Sequence, residues 1–156
     1  MTTILAIDPG SFQSAWLRYD GTLPAGFGIT ANEILVRALR TGGLPEVVVI
    51  EKIESYGMAV GAEVFDTAWW SGRFAEAAAR VPVVMLPRRA VKLALCGDSR
   101  AKDANIRQAL IDRFGGSAAV GRKAAPGPLY GISRDVWSAL AIAVTYSIQD
   151  GSNGAA

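Results

Sequence analysis

An α/β fold, with a mixed sheet covered by helices, is what the sequence predicts. Three observations carry this expectation. Ile4-Leu5-Ala6-Ile7 and Val47-Val48-Val49-Ile50 are unbroken apolar runs of strand length, the pattern of strands buried on both faces. Helical periodicity with terminal signals recurs between them and after them. A long alanine-rich segment near the C-terminus, Ala139-Leu140-Ala141-Ile142-Ala143, suits close packing on a sheet. At 156 residues and 51% hydrophobic composition the chain is expected to fold as one domain.

Taken in order, residues 3–8 predict a buried strand and Gln13 to Tyr19 a second, with Asp20-Gly21 as the turn out of it. Gly26–Thr30 predicts a short third strand. Asn32 is read as the cap of a helix running through Leu39 and ended by Gly42-Gly43. Val47 to Ile50 is the next strand. Gly61 to Arg80 predicts a long helix with Val64, Ala68, Phe74, Ala75 and Ala78 on its inner stripe. Pro82 to Pro87 is a short strand fenced by prolines. Helices are expected from Arg88 to Leu95, from Asp103 to Phe114 and from Arg134 to about Gln149. Gly115–Gly131, with five glycines, two prolines and the cations Arg122 and Lys123, predicts a mobile loop without regular structure. Thus residues 1–149 are expected as the domain, carrying a flexible basic loop at 115–131, and 150–156 as a disordered tail.

Composition excludes several classes. No apolar run approaches the ~20 residues of a membrane span, and the N-terminus lacks a basic region, so neither membrane insertion nor a signal peptide is expected. A single cysteine, Cys96, fits a reducing cytoplasm and reads as a buried structural thiol, because no histidine exists to activate it. The net charge of +2 conceals an asymmetry: from Arg88 to Arg134 ten basic residues face three acidic ones, a net of +7, against −5 elsewhere. Such polarity suits contact with a polyanion at one surface while acids gather at another.

Those acids are the main functional clue. Asp8 ends the first strand at a Pro9-Gly10 turn, Glu51 ends the Val47–Ile50 run, and Asp135 heads the last helix. Carboxyl ends of strands are where α/β sheets assemble their sites. Three carboxylates without histidine make a donor set for hard divalent cations.

These residues resemble a known family. Ile4-Leu5-Ala6-Ile7-Asp8-Pro9-Gly10-Ser11 is similar to the first motif of the RuvC-type Holliday junction resolvases, which have an RNase H-like fold. Val49-Ile50-Glu51-Lys52 resembles the second motif, and the segment from Val91-Lys92 through Ala101-Lys102-Asp103 the basic third region. Asp135-Val136-Trp137-Ser138-Ala139-Leu140-Ala141 resembles the last. The resemblance covers residues 3–148, and the segments 56–61 and 102–110 look most like its short bacteriophage-borne branch. It implies an RNase H-like five-stranded mixed sheet flanked by helices, in a cytoplasmic homodimer of a bacterium or phage-infected cell. It also implies a nuclease that cuts four-way DNA junctions with two Mg2+ ions per site, Mn2+ substituting.

By that resemblance Asp8 is the bridging ligand, completed by Glu51 and Asp135. The family's last motif supplies two metal-binding positions three residues apart, and here the second is Ser138. A hydroxyl is a poorer magnesium ligand than a carboxylate, so the second ion is expected to be held weakly or through water. Asp103 or Asp98 could fill the gap, and Glu54 is a further candidate. Ser138 could equally serve only as a small residue that lets the helix approach the sheet. Tyr56 and Phe65 are the candidates for stacking on bases at the branch, Tyr56 the more exposed of the two. Of Trp69 and Trp70, at least one is expected in the core or a dimer interface. Lys92, Arg100, Lys102 and Arg107 are the expected phosphate contacts, with Arg122 and Lys123 clamping a DNA arm. Rival readings are a broader branched or flap endonuclease and a catalytically weakened DNA-binding relative. A third is an actin-like ATP-binding fold, which 156 residues leave little room for.

Overall fold

The computed structural model describes residues 1–154. Five strands form one sheet in the order β3-β2-β1-β4-β5: β1 (Ile4–Asp8), β2 (Gln13–Tyr19), β3 (Pro24–Ala31), β4 (Val47–Lys52) and β5 (Val83–Pro87). The first three pair antiparallel as a meander, whereas β1, β4 and β5 run parallel. The parallel connections are made by α1 (Asn32–Thr41) and α2 (Ala62–Ala77). Then come α3 (Arg88–Cys96), α4 (Asp103–Arg113), the single turn α5 (Ser117–Val120), a small ribbon of β6 (Gly121–Arg122) and β7 (Ala125–Pro126), and α6 (Val136–Gly154).

Strand alternation sorts the side chains into two cores. Leu5, Ile7, Val48 and Ile50 point to the face covered by α1 and α2, where Leu35, Leu39, Trp70 and Phe74 meet them. Ile4, Ala6, Val47 and Val49 point to the other face, against Ala139, Leu140, Ala143 and Val144 of α6. Alanine at alternate contacts lets α6 lie close to the sheet, as its composition predicts. No helix among the described residues is long and apolar enough to cross a membrane.

Several expectations need correction. Asn32 begins α1 but does not cap it: its side chain is buried and turned back toward the Pro9-Gly10 turn. The inner stripe of α2 is Thr67, Trp70, Ser71, Phe74 and Ala77, with Ala78 just beyond. Ala68 is exposed and Val64 and Ala75 are only half-buried, because the helix is rotated to seat Trp70 and Phe74. Gly115–Gly131 is not structureless: Ala119 and Leu129 are buried in the α6 core, and this anchors the β6–β7 ribbon. Cys96 is half-buried rather than enclosed. Helix α6 continues past Gln149 to Gly154, so only Ala155 and Ala156 of the expected tail lie outside the described residues.

Phe74 is fully buried beneath the sheet, and Trp70 packs beside it with ring centroids 6.0 Å apart. Phe74→Ala is expected to lower stability by about 3–5 kcal/mol in denaturant melts, the cost of a large buried ring and its cavity. At the far end of α2, Arg80 donates to the carbonyls of Leu39, Arg40 and Gly42, closing the C-terminus of α1.

Candidate active site

The parallel register of β1 and β4 decides the geometry. Ile7 pairs with Ile50, so Asp8 and Glu51 each follow one residue later on neighbouring strands. Both leave the α2 face, to which Ile7 and Ile50 point, and therefore face α6. Their carboxyl groups come within hydrogen-bonding reach of one another. Asp8 is half-buried and Glu51 buried. Burial above all, then the Glu51 charge and hydrogen bond and the Asp135 charge, push the Asp8 carboxyl up to about 9, with Arg88 opposing.

Asp135, immediately before α6, lies near enough for its charge to act on Asp8. Its carbonyl accepts the Ala139 N–H, so it stands at the helix entry, where a carboxylate is favoured by the aligned peptide dipoles. Arg134 before it adopts a left-handed conformation, φ 52°. Tyr56, also at φ 52°, is the only other non-glycine residue with positive φ among the described residues; Arg134 lines the carboxylate cleft and Tyr56 a neighbouring one. Ser138 follows Asp135 by almost one turn and is half-buried. Asp135, Ser138 and Glu51 line one cleft of about 360 Å3, together with Arg88, Asp103, Arg107 and Trp137. Asp8, Glu51, Asp135 and the Ser138 hydroxyl are thus the oxygen donors that could serve a cation here. Among the described residues no three carboxylates form a closed metal-ligand cluster.

A buried hydrogen-bond ring holds the turn that aims Asp8. Gly10 N–H donates to Ser14 Oγ at 3.1 Å, Ser14 donates to Asn32 Oδ1 at 2.6 Å, and Asn32 Nδ2 donates to the Gly10 carbonyl at 2.8 Å. Ser14 and Asn32 are each 1% exposed. Buried polar groups in so small a ring must be satisfied together, which favours one conformation of Asp8-Pro9-Gly10.

The remaining predicted residues divide. Asp103 lines the cleft and pairs with Arg88. Asp98 does not: it accepts the Arg100 backbone N–H and pairs with that side chain on the surface. Glu54 pairs with Lys52. Lys92 is half-buried in a second cleft of about 430 Å3 with Tyr56, Arg88, Arg89 and Ser99. Arg107 lines the carboxylate cleft and lies over the Trp137 ring at 4.8 Å. Lys102 is exposed at the start of α4, which Asn105 restrains by accepting the Lys102 N–H. Arg122 and Lys123 are exposed on the β6–β7 ribbon and line neither cleft. Tyr56 and Phe65 are comparably exposed, so the expected contrast between them is absent. Trp69 is exposed and Trp70 buried, with Arg73 over both rings.

Arg88 was not singled out from the sequence, although a signal was available. It follows directly on β5, at the same sheet edge as Asp8 and Glu51, so the strand-end rule that selects them selects it too. Its guanidinium lies 3.7 Å from Glu51 Oε1 and pairs with Asp103.

The whole architecture recurs in solved structures. A Thermus thermophilus RuvC structure is similar at TM-score 0.68 and 21% identity, over 97% of this chain and 96% of that one. The T. thermophilus RuvC in complex with Holliday junction substrate is similar at TM-score 0.69 and 20% identity, over 96% and 95%. No protein-family model and no curated protein matches the sequence. The fold is therefore RNase H-like, of the RuvC kind.

Proposed function

We propose that this chain is a divalent-metal-dependent, structure-selective DNA endonuclease that cuts four-way junctions. The observation that carries the reading is the contact of Asp8 and Glu51 at adjacent strand ends, on the face where α6 brings Asp135 and Ser138. The likeness over nearly the full length to a RuvC seen with a junction supports the choice of substrate.

The donor chemistry fits magnesium. All candidate ligands are hard oxygens, and a divalent cation would offset the burial and the facing Glu51 and Asp135 charges that favour the protonated form of Asp8. Asp8, Glu51 and Asp135 would hold the metal, with Ser138 as a weaker donor. When bound, such ions activate a water and stabilise the leaving oxygen of a phosphodiester. The water oxygen bonds to phosphorus, one ester P–O bond breaks, and the water's proton ends on the leaving oxygen. Lys92 and Arg107, exposed in part beside the two clefts, would hold flanking phosphates, and Tyr56 would stack on an unpaired base. Exposed Phe65 and Trp69 on α2 offer an apolar face for a second copy, as expected of a homodimer. The short bacteriophage-type branch remains the family assignment we favour, on segments 56–61 and 102–110.

The decisive experiment compares Mg2+-dependent cleavage of four-way, flap and linear duplex DNA. Wild type is expected to prefer the four-way junction. Absence of any cleavage would sink the reading, and equal cutting of flaps would favour the broader branched-DNA activity instead. Ser138→Asp is expected to reach full rate at lower Mg2+, since it adds the carboxylate the family pattern carries. DNA affinity should also fall with salt by about a hundredfold between 50 and 200 mM for four phosphate contacts, and a flat response would remove the basic segment as the contact surface.

A further inference from the structure

Among the described residues, Arg88 alone lines both clefts. On one side lie Glu51, Asp103 and Asp135; on the other, Tyr56, Arg89, Lys92 and Ser99, with no carboxylate among them. Its guanidinium is committed to acids, at 3.7 Å from Glu51 Oε1 and paired with Asp103. The two anchors differ: Glu51 is buried on the central sheet, whereas Asp103 is exposed at the start of α4. A guanidinium is always charged and presents a planar fork of donors that matches carboxylate and phosphate oxygens equally well. Once another cation neutralises Glu51, that fork loses its buried partner. On the proposed function, the anion that would lie between the carboxylate cleft and the basic cleft is the DNA backbone.

We propose that Arg88 is a catalytic residue with two partners in turn. In the free protein it is the counter-ion of Glu51 and Asp103. With metal and DNA bound, it donates to the non-bridging oxygens of the phosphate being cut and stabilises the charge that builds there as the P–O bond breaks. It neither gains nor loses a proton. This rests on the nuclease reading above, and Asp103 on this view is an anchor for Arg88 rather than the missing metal ligand.

Two measurements test it: Mn2+ binding to the protein without DNA, by calorimetry, and single-turnover cleavage of a four-way junction at saturating Mn2+. Thermal melts check that Arg88→Ala and Arg88→Lys are folded. Arg88→Ala is expected to bind Mn2+ about threefold more tightly or better, because Glu51 no longer shares its charge. It should cut about a hundredfold more slowly even when metal and DNA are saturating, the scale of a lost transition-state donor. Arg88→Lys should recover only part of that rate, having no fork. Weaker Mn2+ binding with the full rate regained at high Mn2+ would overturn the proposal, since Arg88 would then only support Glu51. An unchanged rate in Arg88→Ala, with wild type cutting normally, overturns this inference alone. A wild type that neither binds Mn2+ nor cuts overturns the nuclease reading and this inference with it.

Discussion

Replacing Asp8 by Asn is expected to abolish junction cleavage and, at the same time, to make the metal-free protein more stable. The loss follows from the proposed metal-holding role: several kcal/mol of charge stabilisation vanish, which at about 1.4 kcal/mol per tenfold is a rate drop of at least about a thousandfold. The gain follows from the environment. Burial and the facing Glu51 and Asp135 charges hold the Asp8 carboxyl up at about 9, so folding favours its protonated form. A carboxyl raised in this way contributes stability that is complete below its unfolded value of 3.8 and is lost as pH climbs through about 9. In EDTA the wild type should therefore lose stability between pH 4 and pH 9 relative to Asp8→Asn. At pH 8 the variant is expected to melt several degrees higher than the wild type. Thermal melts across pH decide it: parallel profiles of the two proteins would show that Asp8 carries no such burden. Mg2+ should raise the wild-type melting temperature and leave that of the variant nearly unmoved.

The second large effect is expected at a distance from the chemistry. Asn32→Ala removes two of the three hydrogen bonds in the ring that holds Gly10, and leaves the buried Ser14 hydroxyl without its acceptor. An unsatisfied buried group costs about 1–3 kcal/mol, which chemical denaturation will show. Because the ring fixes the turn that follows Asp8, cleavage should fall about 10–100-fold, in the range of lost support for a metal ligand. Ser14→Thr retains the hydroxyl and should keep more of both. If Asn32→Ala loses stability but cuts at the wild-type rate under conditions where it is fully folded, the ring serves the fold alone.

How far the site was legible depended on what local pattern can express. Asp8 and Glu51 could be read because two unbroken apolar strands leave few options for register, and the residue after each run must fall at the sheet edge. Asp135 could be read from the alanine-rich helix it introduces. Asn32 misled because an asparagine at a helix start has two uses, and only the depth of the neighbouring turn decides that it faces inward. The stripe of α2 was misplaced for a related reason: alanines score as apolar, yet the helix turns to bury Trp70 and Phe74, where far more surface is gained. Glycine and proline in 115–131 announced turns correctly but not the two buried anchors, Ala119 and Leu129, that order them. Arg88 escaped because it was counted with a basic segment as surface charge, when its position directly after β5 was the informative fact.

The three carboxylates of the proposed site are residues 8 and 51, on β1 and β4, and 135, just before α6, and no short stretch of chain contains two of them. The central strand β1 is made first but finds its parallel partner only some forty residues later, and α6 closes the face last. On the proposed function, an emerging chain would therefore be unable to cut nucleic acid until the final helix docks. On the same reading, undocking α6 would remove Asp135 from Asp8 and Glu51 even with the sheet intact. For a protein proposed to cut DNA, order of assembly is then a safeguard as well as a folding route.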